Sequence, residues 1–312
     1  MVRAMKKIEE NLNPPIILQE KLTLSQFSDY LNDLILDDAN ELTQAKELKN
    51  YLAEDFKRFC YTFSLLPEID QEKKLLEIGG NPYYLTALMK KYTNYEIICT
   101  NCFNDDDSRY YESLQTLSEK RGGVKTYIPW INLNIEKNYL EEEFEIVCFC
   151  EVIEHMIESP LRALLNINAM LKDSGTLIMS TPNVNRIENV ARMIAGANLY
   201  DPYSGYGKYG RHNREYNKHE LFQMLALCGF EIEVMFSANV HSEYAFNYYN
   251  NLEKIAEALL EIPNRELDLG QYIFIKAKKL CDVNSVVAPN WLYRSLETET
   301  ICRGEASKKD NT

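Results

Sequence analysis

The 312-residue sequence predicts an α/β fold: a doubly wound, mostly parallel sheet, preceded by a helical extension and carrying an inserted helix before its last strand. Three observations predict it. Between Lys73 and Lys279 short apolar runs alternate with stretches of helical spacing, the mark of βαβ units. The first of these runs, "KKLLEIGG", ends on Gly79 and Gly80, as a tight strand-to-helix turn favours. The residues ahead of it repeat leucines and aromatics at helical intervals.

In chain order, residues 1–70 form the helical extension. "LTLSQFSDYLNDLILDD" has Ser25 as an N-cap, and "NELTQAKELKNYLAEDFKRFCYTFSLLPE" opens on Asn40 and stops at Pro67. Such helices cover a sheet edge, form a dimer surface or lie over a substrate site. Residues 71–280 hold the sheet. Its strands are "KKLLEIGG", "YEIICT" (Tyr95 to Thr100), "VKTYIPWI", "FEIVCFC" (Phe144 to Cys150) and "TLIMSTPN" (Thr176 to Asn183). Helical "YYLTALMKKY" and "SPLRALLNINAMLKDSG" lie between them. An irregular segment rich in Tyr and Gly, 184–217, leads to the helix "KHELFQMLALCGF" and the strand "EIEVMF". An inserted helical segment follows over 240–266, then the alternating last strand "GQYIFIKAKK" (Gly270 to Lys279). Residues 281–312 read as a loosely packed polar tail. Ligands of such sheets bind outside the carboxyl ends of the strands, which aligns Gly79, Asn101, Glu151 and Asn183 on one rim.

The bulk numbers narrow the function. With a net charge of -13 and a pI of about 5.0, the chain is poorly suited to gripping phosphate backbones as its main task, so nucleic acid is an unlikely partner. No segment has the layout of a signal peptide, and no apolar run approaches a membrane span. The eight cysteines are scattered, and Cys148 and Cys150 fall on opposite faces of one strand. They read as small buried hydrophobes in a reducing compartment. A soluble, cytoplasmic chain is expected.

The order of "LLEIGGNPYYL", "FEIVCFCEVIEHM", "LKDSGTLIMSTPN" and "GRHNREYNKHELFQMLALCGFEI" resembles a class I S-adenosylmethionine-dependent methyltransferase with its Rossmann-like sheet. Within that family "NPYYLT" and "YGRHNREYN" are similar to bacterial enzymes that modify sugars or polysaccharide precursors. The resemblance implies S-adenosylmethionine as cofactor. Glu77, Gly79 and Gly80 would form the turn under its methionine part, with Asn81 as a polar contact, since "NPYY" stands where the family has a third glycine. Asn101 takes the place of the acid that holds the ribose hydroxyls; an amide can both accept and donate there. The adenine end falls near Asn132 to Asn134, and Cys150 and Glu151 complete the cofactor wall. The run Asp105 to Asp107 reads as a solvated loop.

"EVIEHM" carries the chemistry. On a helix, positions i, i+3 and i+4 share a face, so Glu151, Glu154 and His155 can converge. The cluster is similar to the Glu-x-x-Glu-His site at which ubiquinone-pathway O-methyltransferases and Hen-type small-RNA 2′-O-methyltransferases bind a divalent ion. "HNREY" matches the further His-x-x-Glu-aromatic pattern of the Hen type with His212, Glu215 and Tyr216. Two readings stand. In one, Glu151, Glu154, His155 and His212 hold Mg²⁺, Mn²⁺ or Zn²⁺, which lowers the pKa of an acceptor hydroxyl. In the other no metal binds, Glu151 caps a helix, Glu154 and His155 form the pocket wall, and His155 or His212 is the general base. His219 and His241 are set aside as an exposed helix start and an incidental residue.

The aromatic stretch between Tyr200 and Tyr216 is the expected acceptor lid, with Arg211 and Arg214 available to a phosphate. These features predict O-methylation of a saccharide or similar polyhydroxylated metabolite, with a small molecule or glycan as acceptor. RNA 2′-O-methylation, and a non-catalytic protein that uses the same fold to bind a partner, are the alternatives. A homodimer through the N-terminal helices is expected.

Overall fold

A computed structural model of the chain describes residues 10, 12–19, 21–36, 42–102, 112–205, 207–241, 252–263, 265–294 and 299–307. Asn40, Asp105 to Asp107 and residues 242–251 of the expected insert lie outside the described residues. The N-terminal elements are α1 (Leu24–Asp33), β1 (Leu34–Leu36) and α2 (Leu42–Ser64). Next come β2 (Lys74–Ile78), α3 (Tyr84–Tyr92), β3 (Glu96–Asn101), β4 (Glu112–Glu119), β5 (Lys125–Asn132), β6 (Asn138–Leu140) and β7 (Phe144–Cys150). A 3₁₀ turn over Ile153–His155 leads to α4 (Pro160–Met170), β8 (Leu171–Pro182) and α5 (Ile187–Ile194). The chain continues through α6 (Lys218–Leu227), β9 (Phe230–Ala238), α7 (Leu252–Leu260) and β10 (Tyr272–Lys279). Short strands β11 (Ser285–Val287), β12 (Thr300–Cys302) and β13 (Glu305–Ser307) follow.

The nine-stranded sheet runs β1-β4-β5-β3-β2-β7-β8-β10-β9. Its centre is parallel throughout, from β5 to β8. Each edge turns antiparallel: β4 pairs with β5 and β1, and β10 with β8 and β9. The α/β class is therefore the expected one, and the edges add to it. β1 lies inside the stretch read as helix, which ends after one cooperative unit; α1 is closed by a Thr23–Gln26 capping box, not by Ser25. β4 carried no alternation to read, because Leu117 is its one buried side chain.

β2 sits between β3, which follows it, and β7, which comes much later. The crevice where the chain reverses its direction of growth is the binding position of doubly wound sheets. It is bounded here by the loops that leave β2 and β7. Alternation splits β7 between two cores: Val147 and Phe149 pack with α4 and α6, while Ile146 and Cys148 pack with α2 and α3. The result is a sheet with helices on both faces.

The C-terminal segment corrects the expectation of a loose tail. Val286, Ala288, Tyr293 and Ile301 are buried in the α4/α6 core, and Tyr293 places its hydroxyl 2.8 Å from Ser159 Oγ at the start of α4. Its polar composition hid this because its apolar residues are widely spaced and follow no single period. No helix among the described residues is long and apolar enough to cross a membrane.

Candidate active site

The floor of the crevice is the turn after β2. Gly79 has φ +77°, and a Cβ built on it would lie 2.5 Å from Val152 Cγ2. Any other residue there would combine a left-handed backbone with a clash, so the loops after β2 and β7 can close on each other only across a glycine. A Cβ on Gly80 would press on Cys99 Sγ at 3.2 Å. Glu77 is buried beneath this turn and accepts hydrogen bonds from Thr86 Oγ1 and, at 3.6 Å, Cys99 Sγ. Burial pushes its carboxyl up to about 7 against the pull of those two donors. "NPYY" closes the turn by bonding to Asn101: Asn81 N donates to Asn101 Oδ1 at 3.3 Å, and Asn101 Nδ2 donates to Tyr83 Oη at 3.0 Å.

Two cavities flank the turn and share Gly79, Asn81, Glu151 and His155. One, about 190 Å³, extends past Asn101 to Leu133, Asn134 and Tyr209. The other, about 300 Å³, is roofed by α2. Together they fall in the ~300–1,000 Å³ range of small-molecule sites. A larger cavity of about 1140 Å³ opens beside Lys90, Trp130 and Glu142 and shares no lining residue with these two.

A helix over the substrate site was one of the three expectations for the N-terminal region, but the residues it brings there were missed from sequence. Tyr51, Asp55, Arg58 and Thr62 of α2 all line the second cavity. Their spacing of four, three and four residues is one helical face, a polar stripe that could have been read. Arg58 is buried, with Nε 2.8 Å from Asp55 Oδ1, and lies over the rings of Tyr51, Phe59 and Tyr272.

Against this roof stands the cluster after β7. Glu154 is fully buried; its Oε2 accepts from Thr181 Oγ1 at 3.0 Å, and its Oε1, 3.9 Å from His155 Nε2, has no hydrogen-bond partner among the described residues. His155 Nδ1 lies 2.9 Å from the Arg211 carbonyl, which can only accept, so Nδ1 carries the proton and Nε2 is left as a donor of its lone pair. His212 Nδ1 faces Glu215 Oε1 at 3.0 Å, and Glu215 is held in turn by Arg186. One donor atom from each of Glu154, His155 and His212 lies within 4.8 Å of the others. A buried carboxylate oxygen without a partner, facing two imidazoles oriented from behind, is a donor set that fits a divalent ion.

Glu151 does not join this set, which corrects the four-ligand reading. It has φ +57° and its Oε1 accepts from Ser180 Oγ at 2.8 Å. Positions i, i+3 and i+4 share a face on an α-helix, but this turn is 3₁₀ and begins at Ile153, after Glu151. Burial raises the carboxyls of both Glu151 and Glu154; Arg58 opposes this at Glu151, and His212 at Glu154. Burial lowers His155, whereas at His212 the bond to Glu215 and the charge of Glu154 outweigh burial and raise it.

Other expected residues move apart. Cys150 lines the α2 cavity. Asn132 is buried beside Asn101 in the ladder, and Leu133 and Asn134 line the first cavity in its place. Arg211 is bonded to Asn213 and stacked over Tyr203, and Arg214 is paired with Glu220, so neither is offered to a phosphate. Tyr216 is in the core. His219 opens α6 as expected, whereas His241 lines a third cavity beside His212.

Residues 45–234 match a family model described as a methyltransferase domain. Among solved structures, an S-adenosylmethionine-dependent methyltransferase from Mesorhizobium loti is 14% identical with a TM-score of 0.45, covering 72% of this chain and 97% of its own. One from Archaeoglobus fulgidus is 17% identical with a TM-score of 0.44, covering 75% and 94%. One from Thermotoga maritima is 14% identical with a TM-score of 0.46, covering 75% and 96%. No curated protein matches in sequence. With the family model spanning more than half its length, the chain belongs to the methyltransferase-domain family, enzymes that take their methyl group from S-adenosylmethionine.

Proposed function

We propose that the enzyme is an O-methyltransferase for a hydroxyl of a saccharide or similar polyhydroxylated metabolite, and that Glu154, His155 and His212 hold a divalent ion for it. The unpartnered Oε1 of the fully buried Glu154 carries the reading, because a buried carboxylate oxygen left without a donor is costly unless a ligand completes it. Two imidazoles and one carboxylate favour Mn²⁺ or Zn²⁺ over Mg²⁺, which prefers oxygen donors. When bound, S-adenosylmethionine would supply an activated methyl group, and an ion held by Glu154, His155 and His212 would polarise an acceptor hydroxyl.

The chain's own part is placement. The turn at Gly79 and Asn81 and the cavity past Asn101 and Asn134 would seat the cofactor's two ends. α2 would exclude water from above, so that oxygen, methyl carbon and sulfur align. In a metal-free site His155 or His212 would instead be the general base that takes the hydroxyl proton. The RNA reading has less support, with a net charge of -13 and Glu151 outside the donor set. A homodimer through the N-terminal helices would have to use their outer faces, since Phe27, Leu31 and Phe63 are buried within the chain.

The test is calorimetric titration of Mn²⁺ and Zn²⁺ and, separately, of S-adenosylhomocysteine, followed by a methyl-transfer screen of sugars with and without chelator. Glu154→Gln and His212→Ala should each abolish metal binding, and Glu151→Gln should retain most of it. Unchanged metal binding in the first two variants would remove the site assignment.

A further inference from the structure

Beyond His212, on the side away from the Gly79 turn, lies a third cavity of about 230 Å³. His212 and Tyr272 line both it and the α2 cavity, so it adjoins the Glu154, His155 and His212 cluster at that imidazole. Its wall is built around Glu188 on α5. That side chain is only 8% exposed; its Oε1 accepts from Gln271 Nε2 at 2.8 Å, and its Oε2 has no hydrogen-bond partner among the described residues. Gln271 is itself fixed, because its Oε1 accepts from the backbone N–H groups of Val240 and His241 at 2.9 and 2.8 Å. Gln271 thus holds one carboxylate oxygen and leaves the other able to accept a ligand's proton. Arg186, the nearest cation in sequence, is spent on Glu215. Arg192, one turn further along α5, lines the same cavity at its exposed side and forms no ion pair among the described residues.

We propose that this cavity is the acceptor subsite, and that it takes a polyhydroxylated molecule bearing an anionic group, a hydroxyl donating to Glu188 Oε2 and the anion facing Arg192. The proposal rests on the O-methyltransferase reading above and names its substrate class. The hydroxyl is the natural occupant at Glu188: a buried carboxylate oxygen accepts and cannot donate, so the ligand must bring the proton. The anion at Arg192 supplies orientation, since an exposed guanidinium adds little affinity but recognises a carboxylate or phosphate as a planar fork. Seated this way, the molecule would reach past Tyr272 toward His212, which brings another of its hydroxyls to the metal cluster. Glu188 and Arg192 are then specificity-determining residues.

The experiment is calorimetry on the full-length protein saturated with S-adenosylhomocysteine, using glucose, glucuronate and glucose 6-phosphate as probes. Wild-type protein should bind at least one anionic probe several-fold tighter than glucose, and the tighter of the two tells a sugar acid from a sugar phosphate. Glu188→Gln, which turns the vacant acceptor into a donor, should weaken all three by roughly tenfold to a hundredfold. Arg192→Gln, on the surface, should weaken only the anionic probes, by about fivefold. Equal binding of all three probes by the wild type, no binding of any, or unchanged affinity in Glu188→Gln would overturn the proposal. S-adenosylhomocysteine affinity, measured in the same samples, separates these failures: its loss in the wild type would refute the methyltransferase site itself.

Discussion

Substituting Gly79 tests whether the crevice is closed by steric fit between the loops after β2 and β7. Gly79→Ala places a side chain at φ +77°, costing about 1–2 kcal/mol. It also sets the new Cβ 2.5 Å from Val152 Cγ2, and forcing a carbon into an occupied space costs about 1–3 kcal/mol more. The single variant should therefore lose about 2–5 kcal/mol. Val152→Ala, at a half-buried position, should lose about 1 kcal/mol. In the double variant the methyl group that Gly79→Ala meets is gone, while the backbone cost remains. The double variant should thus be more stable than the sum of the singles predicts, by about 1–3 kcal/mol. Urea denaturation at constant m-value measures the cycle. Calorimetry with S-adenosylhomocysteine should show affinity lost in Gly79→Ala and partly regained in the double variant. Additivity within about 0.5 kcal/mol would refute the steric account.

Glu77 supplies a pH test. Its carboxyl is raised from 4.5 to about 7, so the folded state holds a proton that the unfolded state releases; stability falls as pH rises through that window and levels off above it. The stability of wild type relative to Glu77→Gln should therefore decline by about 3 kcal/mol between pH 4 and 8, and a flat difference would mean that Glu77 is solvated. Breaking the buried Arg58–Asp55 pair with Arg58→Met should cost about 3–5 kcal/mol, and Arg58→Met with Asp55→Leu should cost less, both read by urea denaturation. Truncation before Ser285 should be strongly destabilising, since Val286, Tyr293 and Ile301 each bury a side chain worth ~1.5–3 kcal/mol. A truncated protein as stable as the whole would restore the loose tail.

What was legible in the sequence is what depends on short-range pattern. The parallel centre could be read because apolar runs such as Phe144–Cys150 are buried on both faces, and Gly79 could be read because a strand end followed by glycines has few other uses. The roof, the edges and the C-terminal packing depend on partners far along the chain. Arg58 and Asp55 look like ordinary solvated helix charges until α2 lies on the crevice, and Glu188 looks like a first-turn acid until Gln271, distant in sequence, takes one of its oxygens. The proposed metal cluster shows the limit most sharply. Glu154 and His155 are adjacent, and a donor atom of each lies within 4.8 Å of one on His212. Glu151 differs because a spacing predicts a shared face only once the helix is specified. Three residues of 3₁₀ turn, begun one residue after Val152 leaves the extended chain, send Glu154 and His155 toward His212 and leave Glu151 at the strand end, where Ser180 of the neighbouring strand reaches it first. The proposed donor set of one carboxylate and two imidazoles follows from that register, and such a set suits a borderline-soft ion where the sequence motif, with two carboxylates, had admitted a hard one.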